Sequence, residues 1–152
     1  MSGATEIATG ECIFCSECEA GTSSLLVLHR GAHCFVILNK FPYNNGHLMV
    51  VPNRHVGRLA DLHEPELNEL ASLTKIAEMV LTEAYSPNGL NVGINLGRAA
   101  GAGAPDHLHV HLVPRWDGDT NFMTVVSETR VVPEEPGETA RRLTPLFKKV
   151  LG

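Results

Sequence analysis

Apolar and polar positions follow two different periods along this chain, and the switches between them outline its elements. Residues 25–29 (LLVLH) and 34–38 (CFVIL) are short, β-branched apolar runs separated by Arg30-Gly31-Ala32, the pattern of a hairpin. The turn-rich NKFPYNNG follows, and residues 47–52 (HLMVVP) make a third strand, so three antiparallel strands are expected in succession. Over residues 64–85 the period lengthens: Leu67, Leu70, Ala71, Thr74, Ala77, Val80, Leu81 and Ala84 recur at helical spacing, while Glu66, Glu69, Lys75, Glu78 and Glu83 fall between them. Pro65 suits the first turn and Ser86-Pro87-Asn88-Gly89 stops the helix. Residues 90–95 (LNVGIN) read as a strand, 97–106 (GRAAGAGAPD) as a loop and 107–114 (HLHVHLVP) as a strand, and the segment after Thr139 reads as a C-terminal helix broken by Pro145. Strands, one long helix, then strands predict an α+β domain on a mostly antiparallel sheet. Residues 1–11 are expected to be a mobile tail and 12–152 a single domain without internal repeats.

Composition narrows the partners. With 152 residues, 43% hydrophobic, the chain is long enough to bury a core without disulfides, and a net charge of -5 is too modest for disorder. Seventeen acidic against twelve basic residues argue against nucleic acid as the main partner, since that binding needs many phosphates neutralised by Lys and Arg. No stretch reaches the roughly 18 apolar residues that span a bilayer. The first eleven residues have neither a basic start nor an apolar segment, so a cytoplasmic location is expected. Histidine stands out: eight in the chain, three of them within five positions.

Because side chains alternate along a strand, His107, His109, His111 and Val113 share one face and Leu108, Val110 and Leu112 the other. The apolar face can anchor the strand while the imidazoles line up. Metal ligation, covalent catalysis by one imidazole tuned by its neighbours, or a plain surface ladder would each fit such a row. The Gly/Ala-rich loop before it offers backbone N–H groups to an anionic phosphate, or is a flexible connection. Cys12-x-x-Cys15 has the spacing of metal ligands, and equally of reduced thiols or a redox pair.

His107-Leu108-His109-Val110-His111-Leu112-Val113 resembles the His-x-His-x-His-x-x signature of the histidine-triad (HIT) superfamily of nucleotidyl hydrolases and transferases. The resemblance runs from residue 12 to about 133 and includes CIFC, GHLMVVPNRH, GLNVGINLG and HLHVHLVPRWDGDTNF; the last looks like the branch of bacterial diadenosine tetraphosphate phosphorylases and related hydrolases. It implies a HIT-like fold and cleavage of dinucleoside polyphosphates at the α-phosphate through a nucleotidyl-histidine, with water or phosphate as acceptor. A purine nucleoside phosphoramidase, or a zinc-stabilised nucleotide-binding protein with little catalysis, are the alternatives. The resemblance makes His109 the nucleophile, His111 a hydrogen-bond donor to the same phosphate and His47 their support. It sets Asn39 at the ribose and Asn95 near the scissile phosphate. Gly101, Ala102, Gly103 and Ala104 fall on the phosphate, without the hydroxyl that relatives often carry there. Ile13, Phe14 and Ile37 match an apolar base pocket, and equally fit plain core; Trp116 and Arg115 are candidates for the second nucleoside or its phosphates, or for a stacked cap on the sheet edge.

Some members of the superfamily complete a zinc site with the histidine of a Pro-x-x-His segment and the first histidine of the triad. Here the resemblance implies Cys12, Cys15, His55 and His107 as ligands of a structural Zn2+, leaving His109 and His111 for chemistry. Mg2+ could arrive with the polyphosphate, though no carboxylate cluster marks a site for it. Cys18 and Cys34 read as free thiols, Cys34 buried; His29, His33 and His63 have no assigned role. The resemblance also implies a homodimer, with the long helix and a central strand at the interface.

Overall fold

The computed structural model describes residues 12–18, 26–39, 45–101, 107–119 and 134–152. The expected tail, the start of the first predicted strand and Ala102, Gly103 and Ala104 of the loop lie outside them. Strands β1 (Val27–Arg30), β2 (Cys34–Leu38), β3 (Leu48–Pro52), β4 (Gly89–Ile94) and β5 (Val110–Arg115) form one sheet in the order β1-β2-β3-β5-β4, every neighbouring pair antiparallel. Among the described residues three α-helices accompany it: α1 (Ile13–Cys18), α2 (Glu64–Tyr85) and α3 (Pro136–Leu151). The α+β reading holds. Among the described residues no helix is long and apolar enough to cross a membrane.

Alternation along the strands builds two apolar layers. Cys34, Val36 and Leu38 of β2, Leu48 and Val50 of β3, and Val110 and Leu112 of β5 face Leu70, Leu73, Ala77, Val80 and Leu81 of α2, with Leu143 and Phe147 of α3. Phe35, Ile37, Met49 and Val51 point the other way and pack with Cys12 and Phe14 at α1. This is why β2 and β3 read as unbroken apolar runs: both faces are covered. The histidines lie on the face that α1 covers.

Three features hold the frame around the site. Gly46 turns the chain into His47 with φ near +80°, and a Cβ there would stand 2.9 Å from the Tyr85 ring, so only glycine suits the turn. Glu69 of α2 inserts its carboxylate into the β1–β2 turn, where Oε2 accepts from the backbone N–H groups of His33 and Cys34 at 2.9 and 2.8 Å. Gly31 leaves the room for it. Glu66 accepts from Arg54 Nε and Nη2 at 2.9 and 2.8 Å and from the His63 N–H at 2.7 Å, tying the β3–α2 connection to the first turn of α2.

Pro145 does not break the last helix, which runs through it to Leu151. The hydrogen bond it removes would have gone to the Arg141 carbonyl. Both residues are exposed, so that carbonyl lies where water can serve it, while Leu143 and Phe147 keep the opposite face buried.

The Arg54 hydrogen bonds hold the Glu66 carboxyl down to about 2, from an ordinary 4.5. Because the folded form keeps this group ionised more readily than the unfolded chain does, its stabilisation is fully present above pH 4.5 and fades as the pH falls toward 2. With Arg54 partly exposed, Glu66→Gln should cost roughly 1–2 kcal/mol at pH 7. Urea unfolding of both proteins from pH 7 to pH 2.5 should show the gap between them closing; a gap that widened would contradict the assignment.

Candidate active site and metal centre

The strand expected from residue 107 begins its ladder only at Val110, and backbone groups of the residues before it bond outside that ladder. The Leu108 N–H donates to the Val56 carbonyl at 2.6 Å. His109 Nδ1–H donates to the His107 carbonyl at 2.9 Å, which sets the neutral ring in the tautomer whose Nε2 carries a free lone pair. The imidazoles stand on the face opposite Leu108, Val110 and Leu112, in accord with the alternation, but His107 and His109 are buried rather than surface groups.

Three imidazoles come together. The His109 ring lies 4.6 Å from His111, and His111 Nδ1 lies 2.9 Å from Nε2 of His47, joined by one proton. Behind His47, the Asn39 side-chain amide sits 3.4 Å from its Nδ1, and the Asn39 N–H donates to the His47 carbonyl at 3.0 Å. Burial, then the neighbouring His111 and His109, push His47 down to about 4. Burial also lowers His109 and His111. The cluster is therefore neutral near pH 7, with lone pairs available and no standing positive charge.

The predicted Cys/His group also assembles. His107 Nε2–H donates to the Pro52 carbonyl at 2.9 Å, which turns Nδ1 toward Cys12 Sγ at 3.2 Å and Cys15 Sγ at 3.6 Å. His55 Nδ1 lies 3.1 Å from Cys15 Sγ. All four ligand atoms lie within 4.8 Å of one another. A tetrahedral zinc, with Zn–S of about 2.3 Å and Zn–N of about 2.0 Å, requires N···S separations of about 3.5 Å, so the donor set fits the ion. The carbonyl behind His107 is the partner such a ligand needs to hold its tautomer. The other two thiols are not part of it: Cys34 is fully buried, its pKa pushed up to about 12 by burial and then by Glu69 and Glu66, and burial raises Cys18.

The remaining predicted residues are placed unequally. Asn95, just beyond β4, donates to the Gly101 carbonyl at 3.3 Å across a turn flanked by Gly97 and Gly101 at positive φ. Ile13 is 65% exposed, whereas Phe14 and Ile37, expected to face a base, are 2% and 4% exposed inside the second apolar layer. Trp116 packs edge-on against Tyr85 at 6.3 Å, on the helix side of the sheet, and is not brought to the histidines. Arg115 is bound to Asp119 and Asn91. Sequence reasoning missed the Arg54–Glu66 clamp beside His55; the signal was there in Glu66 standing three residues into α2, where a side chain caps the helix start.

The HIT domain family matches residues 23–118. The AP-4-A phosphorylase of Mycobacterium tuberculosis, in each of two strains, is 48% identical over 118 residues, covering 78% of this chain and 60% of that protein. This chain thus spans about three-fifths of the length of those relatives. An asymmetrical bis(5'-nucleosyl)-tetraphosphatase of Schizosaccharomyces pombe is 36% identical over 93 residues, 61% of this chain and 50% of that one. The crystal structure of a Zn-bound histidine triad family protein from Mycobacterium smegmatis has a TM-score of 0.74 at 24% identity, over 94% of this chain and 97% of that chain, and so shares the fold.

Proposed function

The chain belongs to the HIT domain family, and from that premise we propose that it cleaves dinucleoside polyphosphates, diadenosine tetraphosphate being the substrate that best suits its relatives. The observation that carries the reading is His109, buried, neutral and locked through Nδ1–H on the His107 carbonyl with Nε2 left as a nucleophile. In the first step Nε2 attacks the α-phosphorus, an N–P bond forms, and the bond to the bridging oxygen breaks, so the remaining polyphosphate leaves with that electron pair. In the second step water or inorganic phosphate attacks the nucleotidyl-histidine, loses a proton and restores the imidazole. The name AP-4-A phosphorylase on a 48% identical relative favours phosphate as the acceptor.

The surroundings supply charge stabilisation without a basic surface. With His47 Nε2–H donating to His111 Nδ1, Nε2–H of His111 is free to donate to a phosphate oxygen as charge builds there. Asn39 backs this relay and would meet the ribose, and Asn95 would meet the scissile phosphate. Exposed Ile13 offers apolar surface to the base.

Cys12, Cys15, His55 and His107 would hold a structural zinc, which pins α1 to the triad when bound. A neighbour in fold is described as Zn-bound, which supports the assignment. The described cysteines are not joined in disulfides, which suits the reducing cytoplasm in which we place the protein. Among the described residues strand β4 ends the sheet, and the large apolar residues Met79, Val92 and Leu96 are exposed, which suits a homodimer that adds a second copy across that edge.

Incubation with diadenosine tetraphosphate and Mg2+, quenched in denaturant, should yield an adenylyl adduct on the peptide containing His109, and His109→Ala should lower turnover at least about 1,000-fold. Adding phosphate should give ADP plus ATP in place of AMP plus ATP. Unchanged substrate, or a His109→Ala protein as active as wild type, would refute the reaction. Metal analysis should find about one zinc per chain, lost in Cys12→Ser together with a lower melting temperature; no zinc in wild type defeats the site. Sedimentation equilibrium should return twice the chain mass, and Val92→Lys should return the monomer mass.

A further inference from the structure

Phe14 stands between the two cysteines of the metal centre, and its contacts do not suit a base pocket. Its ring is 2% exposed, with its centroid 4.9 Å from that of His109 at 49° and 5.4 Å from that of His107 at 69°. His109 therefore packs against two rings, Phe14 and His111, the latter at 4.6 Å. A single hydrogen bond to the His107 carbonyl would leave the imidazole free to swing about its side-chain torsions; packing against neighbouring rings removes that freedom. What keeps Phe14 in place is the chain around it. Helix α1 has only six residues, too few to hold its own shape, and is fixed from outside: Cys12 Sγ against His107, Cys15 Sγ against His55, and the Phe14 side chain in the layer of Phe35, Ile37, Met49 and Val51.

We propose that Phe14 is a positioning residue for the nucleophile: it wedges the His109 ring so that Nδ1–H stays on the His107 carbonyl and Nε2 stays aimed at phosphorus. The Cys12–Cys15–His55–His107 centre is the clasp that holds Phe14 there. Metal ligation and nucleophile alignment are thereby joined through one apolar side chain as well as through His107 itself. The proposal rests on the reading of His109 as nucleophile, and it differs from a base-pocket role in what it acts on. A ring buried against a histidine has no face left for a purine.

The test compares full-length wild type, Phe14→Ala and Phe14→Leu, each checked for wild-type zinc content. Long-range 1H–15N spectra of the imidazoles, recorded without substrate, should show His109 as a single Nδ1–H tautomer in wild type and Phe14→Leu, and as a mixture of both neutral tautomers in Phe14→Ala. With diadenosine tetraphosphate, Phe14→Ala should lose about 10- to 100-fold in kcat with KM within about two-fold, and leucine should restore kcat to within about three-fold. If Phe14→Ala does not fold, Phe14→Val takes its place with the same readouts. A raised KM with kcat and the tautomer unchanged would overturn the proposal and return Phe14 to the base pocket. Wild type without turnover would refute the nucleophile reading alone, because the tautomer spectra decide the grip of Phe14 on His109 without substrate.

Discussion

The site depends on three simultaneous engagements of His107. Its Nε2–H is spent on the Pro52 carbonyl, its Nδ1 faces two thiols, and its own carbonyl receives the His109 Nδ1–H. The third is available because residues 107–109 stand outside the sheet ladder, so their backbone groups are not consumed by neighbouring strands. A residue buried to 1% exposure cannot adjust one of these bonds without disturbing the others. The tautomer of the His109 imidazole is thus set by the same residue that completes the Cys/His group, and the apolar anchors Leu108, Val110 and Leu112 keep that residue in register.

Legibility in the sequence followed the physics of each signal. Helix α2 could be read to its end residues, because its apolar period is long and both its termini carry stop and start chemistry. The strands were readable from apolar runs, but the start of β5 was misplaced by three residues, since alternation continues in extended chain whether or not a neighbour pairs with it. Pro145 misled because the rule against proline concerns one lost hydrogen bond, and sequence alone does not say that this one faces water. The four members of the Cys/His group lie up to 95 positions apart, so only a resemblance could join them before the fold did. Phe14 and Ile37 show the limit in the other direction. Apolar character marks burial, and does not tell a wall that faces a ligand from packing beneath the histidines.

Charge is handled locally. With a net charge of -5, the chain could meet the proposed polyphosphate only without a broad positive field. Its histidines are pushed toward neutrality, so the attraction has to come from oriented N–H groups at short range. Such a site rewards geometry over net charge, consistent with the amount of structure spent on fixing individual ring nitrogens.

The Glu69 carboxylate in the β1–β2 turn bears on how the chain reaches this geometry. The turn's N–H groups at His33 and Cys34 find their acceptor on a residue 35 to 36 positions away, on α2, and not within the hairpin. A hairpin formed early would leave those donors to water until the helix arrived, so the pair gains its full stability only when strand and helix meet. Hairpin and helix should therefore form and open as one cooperative unit, with the backbone amides at 33 and 34 exchanging their hydrogens only when α2 lifts away.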